Sequence, residues 1–184
     1  MGGTGRLGEP VPQPCSTGSI RPDTDDRFNT HQGAPQCFGR KRGAQRQAIG
    51  RSRGGRNTKI HALADAKGRL LSILLTGGEA HDCPPAQRLI RRVKAAAKLL
   101  GDKAYDSAEL RQWLDERDTK PVIPNRSNRK QPFSFDKKAY KLRHLIENAF
   151  GRLKDFRRIA TRYDKLARNY LASTCLVAAI VWWI

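Results

Sequence analysis

Apolar residues crowd into two neighbouring runs, Thr58 to Asp65 (TKIHALAD) and Leu70 to Thr76 (LLSILLT), separated by Ala66-Lys67-Gly68-Arg69. Two short apolar runs around a turn-forming tetrapeptide predict an antiparallel strand pair. Asp82 ahead of Pro84 and Pro85 predicts a capped helix through Leu89, Ile90 and Val93 to Ala97, since proline is preorganised for a first helical turn. Leu99-Leu100-Gly101-Asp102 reads as a short buried strand that ends in a carboxylate. Ser107 is placed to cap a helix carrying Leu110, Trp113 and Leu114, and Val122-Ile123, between Pro121 and Pro124, predicts another short strand. A basic polar loop, Asn125 to Gln131, leads into a long helix from Asp136 to Arg158. The last helix, Ala167 to Trp183, is apolar nearly all round, which predicts burial against the domain. Trp113, Trp182 and Trp183 have apolar company and are expected to pack in the core. Strands mixed with helices predict an α/β or α+β sheet domain over residues 46–184.

Upstream the pattern is lost. Residues 1–56 hold 11 of the 16 glycines and five of the 10 prolines, and between Cys15 and Pro35 the only large apolar side chains are Ile20 and Phe28. Too little surface can be buried there to offset the entropy of ordering, so residues 1–45 are expected to be a disordered, low-complexity segment. The whole chain, 184 residues, has room for one domain of ordinary size. Its formal charge of +19 points to a polyanionic partner, nucleic acid ahead of an anionic membrane. The four cysteines, at 15, 37, 83 and 175, form no C-x-x-C pair and no cluster with histidine, which argues against a zinc finger and against a disulfide framework. No basic start followed by an apolar run marks a secretory signal, and the apolar stretch from Tyr170 to Ile184 is too short for a bilayer, so the expectation is a cytoplasmic protein without a membrane partner.

The long helix is the most informative segment. Advancing about 100° per residue, Leu142, Leu145, Ile146, Ala149, Leu153, Phe156 and Ala160 collect on one side. Tyr140, Arg143, His144, Glu147, Gly151, Lys154 and Arg158 collect on the other, with Glu147 ringed by cations and Gly151 one turn away leaving room for an approach. Helix geometry alone favours a solvated face with i,i+4 ion pairs; the competing reading is a metal-binding carboxylate beside phosphate-gripping cations.

Tyr140, Arg143, Glu147 and Lys154 spell Y-x2-R-x3-E-x6-K. With Gly50-Arg51-Ser52-Arg53-Gly54-Gly55, Thr58-Lys59-Ile60-His61, Leu75-Thr76-Gly77-Gly78, Gly101-Asp102-Lys103-Ala104-Tyr105-Asp106 and Thr161-Arg162-Tyr163-Asp164, the order and spacing resemble bacterial insertion-sequence transposases of the DDE type, in the insertion-sequence five-like branch. The resemblance covers Arg40 to Ile184. It implies a ribonuclease-H-like mixed sheet flanked by helices, and a reaction in which three carboxylates hold two Mg²⁺ or Mn²⁺ ions for in-line displacement at a phosphodiester.

Carried over residue by residue, the second Asp is Asp102 and the Glu is Glu147. Tyr140, Arg143 and Lys154 would meet DNA or order the Glu, and Arg51, Arg53 and Lys59 would follow the phosphate backbone. Asp106 is expected to be a turn residue rather than a ligand, and His61 and His81 are expected to be polar strand and cap-region residues. The family sets its first carboxylate in an apolar strand ahead of a His-Gln pair. Here His31-Gln32 follows Asp23, the nearest equivalent, and Asp25, a second candidate, and no apolar strand surrounds either. The expectation is therefore a transposase core that cuts and joins double-stranded DNA at insertion-sequence ends and target, in a copy truncated or frame-disrupted upstream with its first strand lost. A homodimer is an arrangement the resemblance allows. The alternative is an inactive remnant that only binds DNA through its charge, with a salt-dependent affinity.

Overall fold

A computed structural model describes residues 47–52 and 55–184. The expectations for residues 1–45, and for Asp23, Asp25 and Arg53, lie outside the described residues. Strand β2 (Gly55–Ala64) lies between β1 (Gly50–Ser52) and β3 (Leu70–Gly77) in an antiparallel sheet. The β2–β3 connection is fixed by local chemistry. Asp65 Oδ1 accepts hydrogen bonds from the amides of Lys67 and Arg69, both at 2.9 Å, and Gly68 supplies the positive φ of 78° that the turn requires.

Strand alternation then sorts the core into two clusters. Ile60, Ala62 and Ala64 face one side of β2, where they pack with Ile146, Ala149, Phe150 and Leu153 of α4 (His144–Lys154) and with Tyr170 and Ala178 of α6 (Ala167–Trp183). Leu63 faces the other side, against Ala86, Leu89 and Ile90 of α1 (Cys83–Ile90), Leu99 of β4 (Lys98–Leu100) and Leu110 and Leu114 of α2 (Ala108–Asp115). Covered on both faces, β2 is buried without interruption from Lys59 to Ala64. A second sheet pairs β4 with β5 (Lys120–Val122) in parallel. The architecture is mixed α/β with small sheets and flanking helices, as expected in its coarse form.

Several boundaries differ from the sequence pattern. The α1 helix stops at Ile90 rather than Ala97, because the segment beyond it is held by tertiary bonds: Arg92 Nη1 donates to the Ile73 carbonyl at 3.2 Å and Arg117 Nη2 to the Val93 carbonyl at 3.4 Å. Asp82 makes no side-chain cap bond, since its carboxylate accepts from Lys59 Nζ at 3.1 Å. The expected continuous helix from Asp136 to Arg158 is three helices and a tight turn: α3 (Lys137–Tyr140), a 3₁₀ turn (Lys141–Arg143), α4, and α5 (Arg157–Thr161). The 3₁₀ turn changes the helical phase, so Leu142 is exposed, and Phe156 is exposed as the extended residue that starts α5. Phe150 takes the core position instead.

Helix α6 matches its predicted bounds but buries one face only, through Tyr170, Thr174 and Ala178, one turn apart. Leu176, Ile180 and Trp183 are exposed, because the helix lies along the outside of β3 and α4. Trp183 does not enter the core: its ring stacks on the Arg69 guanidinium, and its Nε1 donates to the Leu70 carbonyl at 3.3 Å. Among the described residues, no helix is long and apolar enough to cross a membrane.

Candidate active site

Asp102 follows β4 after one residue, Gly101. Its backbone is extended, and its Oδ1 accepts the Lys103 amide at 2.7 Å, which starts a 3₁₀ turn, Lys103–Tyr105. The turn is packed closely from below: a Cβ on Gly101 would stand 3.2 Å from Ile123 Cγ1, so a larger residue there would require the Ile123 side chain to give way by a few tenths of an ångström. The buried Tyr105 fills the space underneath, and burial pushes its hydroxyl well above the usual range.

The helical segment is tied to the same place. Asp136 caps α3 by accepting from the Ala139 amide at 2.9 Å, and it meets Lys98 Nζ, at the start of β4, at 3.0 Å. Those partners, the Ala139 amide first, hold the Asp136 carboxyl below its ordinary value. In the 3₁₀ turn that follows, side chains three apart eclipse, so the Arg143 guanidinium sits 5.6 Å from the Tyr140 ring centre. One turn further on, Glu147 Oε1 receives Arg143 Nη2 at 2.6 Å. The other end of the same guanidinium, Nη1, lies 3.5 Å from Asp102 Oδ2; this nitrogen is buried and makes no hydrogen bond among the described residues. The two carboxylates singled out from sequence therefore share one cation, and both are partly open to solvent.

Among the described residues, a Cβ on Gly151 would meet nothing within 4 Å, and Lys154 lies further along α4. Arg51 is exposed on β1. Lys59, expected along a DNA-facing run, is internal instead: it is 8% exposed, with Nζ on the Ala80 carbonyl at 2.8 Å and on Asp82. Burial next to an acceptor and a carboxylate commits that ammonium to the fold. His61 is fully buried in β2, where Nε2 pairs with Thr76 Oγ1 at 2.7 Å, and burial lowers its pKa to about 4.

A family model described as a transposase DDE domain matches residues 24–182. The chain belongs to that family. Relatives of this transposase domain include a putative transposase for insertion sequence element IS6501 from Brucella ovis, 35% identical over 127 residues, which cover 68% of this chain and 97% of that protein. The transposase for insertion sequence element IS1106 from Neisseria meningitidis is 30% identical over 128 residues, 64% of this chain and 44% of that protein. A putative transposase for insertion sequence element IS402 from Burkholderia cepacia is 28% identical over 137 residues, 68% of this chain and 63% of that protein. The transposase domain thus spans less than two thirds of the second and third relatives.

Asp106, read from sequence as a turn residue, has a larger part in this domain. Its carboxylate is buried and accepts from Arg129 Nε at 2.7 Å, the Arg126 amide at 2.8 Å and Arg111 Nε at 3.0 Å. Burial alone would push its pKa up, but these hydrogen bonds outweigh burial and hold it below the usual carboxylate range. The signal that could have found it is a carboxylate four residues after Asp102 with several arginines downstream. Sequence does not show which arginines converge.

Proposed function

We propose that this transposase domain cuts and rejoins double-stranded DNA at insertion-sequence ends, with Asp102 and Glu147 as two members of a three-carboxylate metal site. The observation that carries this reading is the Arg143 guanidinium held between the two. A pair of carboxylates that accommodates one cation from both sides has the charge and the all-oxygen donor set that suit Mg²⁺ or Mn²⁺. Among the described residues, no group of three or more His, Cys, Asp or Glu side chains is placed to hold a metal. The third ligand is accordingly assigned to Asp23, with Asp25 as the alternative, both outside the described residues.

When bound, two divalent ions would activate the attacking oxygen and stabilise the leaving one. The chain's own residues do the rest. Asp102, just past a strand end packed against Ile123, and Glu147, on a helix locked into the core by Ile146 and Phe150, would keep the ligand oxygens in register. Arg143 and Lys154 would take DNA phosphates, Tyr140 would back Arg143, and Arg51 and Arg53 would extend the contact along the backbone. Lys59 is left out of this set because of its internal ion pair. The ribonuclease-H-like form of the sheet belongs to the same proposal.

The test is strand cleavage and joining by the full chain on a duplex that carries insertion-sequence ends, in Mg²⁺ or Mn²⁺. Glu147→Ala is expected to abolish the product while leaving the thermal unfolding profile cooperative. Unchanged cleavage in that variant would remove Glu147 from the mechanism.

A further inference from the structure

The segment from Asn125 to Phe133, between β5 and α3, is a loop with a closed neck. Asn125 Nδ2 donates to the Phe133 carbonyl at 2.8 Å, and the Phe133 amide donates to Asn125 Oδ1 at 2.9 Å. Its body is fastened to the turn that Asp102 begins. Buried Asp106 clamps the Arg126 amide and the Arg129 side chain, while the Arg126 guanidinium reaches the carbonyls of Lys103 and Ala104 at 3.3 and 2.9 Å. The Phe133 ring lies against the guanidinium groups of Arg111 and Arg129, 4.7 and 4.8 Å from its centre.

The charge balance of this assembly is positive. Asp106 supplies one negative charge for Arg111 and Arg129 together, and the two carbonyls that orient Arg126 cancel none of its charge. Arg126 and Lys130 are exposed on either side of the exposed Ser127 and Asn128. Cations interleaved with a hydroxyl and an amide form a set suited to phosphate and sugar contacts. A loop fixed beforehand also binds without the entropic cost of ordering.

We infer that this loop contacts the backbone of duplex DNA beside the Asp102 carboxylate, and that Asp106 is the positioning residue that holds it there. The inference rests on the proposed action on DNA, and its test separates the two. Binding of the full chain to a short duplex of arbitrary sequence is followed as a function of salt, with Mn²⁺ binding and thermal unfolding measured alongside. Arg126→Gln combined with Lys130→Gln is expected to lower the salt slope by about 1.8, two phosphates at about 0.9 each, with Mn²⁺ binding unchanged and unfolding still cooperative.

Asp106→Asn is expected to weaken binding about tenfold, the loss typical of a few misplaced contacts, and to speed tryptic cleavage after Arg126 and Lys130. That loss should largely vanish in the Arg126→Gln, Lys130→Gln background, because the loop then has neither of its exposed cations left to position. An equal loss in both backgrounds would make Asp106 merely structural and overturn its positioning role. If Asp106→Asn fails to fold, the loop variant alone decides the surface. A slope unchanged in the loop variant overturns the inference with the DNA reading intact, whereas a wild-type chain without salt-dependent affinity for duplex overturns both.

Discussion

Asp102 and Glu147 stand at the two ends of one guanidinium, with Arg143 Nη2 at 2.6 Å from Glu147 Oε1 and Nη1 at 3.5 Å from Asp102 Oδ2. A strand end and a helix far apart in sequence are thereby joined by a charge rather than by apolar packing. A cation between the carboxylates offsets the repulsion of like charges brought together in a partly desolvated site.

Arg143→Gln removes that cation and keeps the approximate shape of the side chain. It is expected to destabilise the metal-free chain by about 1–2 kcal/mol, the range for loss of a charged hydrogen bond in a half-buried setting. Mn²⁺ should then raise the melting temperature of Arg143→Gln more than that of wild type, because the ion relieves a repulsion that wild type does not have. Equal Mn²⁺ shifts in the two proteins would show that the carboxylates are not coupled through this position.

What could be read in the sequence was what local chemistry decides. Asp65 and Gly68 close the β2–β3 turn with partners at most four residues away, and the Ser107 side chain caps α2 by accepting from the Leu110 amide. The residues Asp102 and Glu147 were legible through motif spacing, although neither periodicity nor composition places them together. The breaks in the long helix were not legible: the phase change at Lys141–Arg143 is flanked by ties of Asp136 to Lys98 and of Arg143 to Asp102, partners that lie far away in sequence. The internal ion pair of Lys59 and the arginines that converge on Asp106, itself the turn residue expected, were not legible for a related reason. A charged residue looks solvated until the fold brings its partner from some 20 residues away, as it does with Asp82 and Arg129.

Gly151 separates helix energetics from access to DNA. A methyl group there meets nothing among the described residues, so Gly151→Ala is expected to stabilise the chain by about 0.5–1 kcal/mol through helix propensity alone. If the patch beyond Glu147 admits a DNA strand at close range, the same variant binds duplex more weakly although it melts later. A variant that melts later and binds as well as wild type would move the DNA path away from this face of α4.

His61 gives the fold a pH dependence whose sign is fixed by its burial. Desolvation inside β2 lowers its pKa to about 4 from 6.5, with nearby Asp82 opposing the shift and Lys59 adding to it. Between those two values the unfolded chain binds a proton that the folded chain does not, so stability rises with pH through this window. The contribution is fully present above pH 6.5 and is lost as pH falls toward 4, with an upper bound of about 3 kcal/mol from the size of the shift. Asp106, whose carboxyl lies below its ordinary value, acts in the same direction but only in more acidic solution, below about pH 4. Denaturant unfolding at a series of pH values should therefore show a rise between pH 4 and 6.5 that is missing in His61→Gln, whatever that variant's absolute stability. An imidazole resonance of His61 titrating near 6.5 in the folded chain would contradict the burial on which this expectation depends.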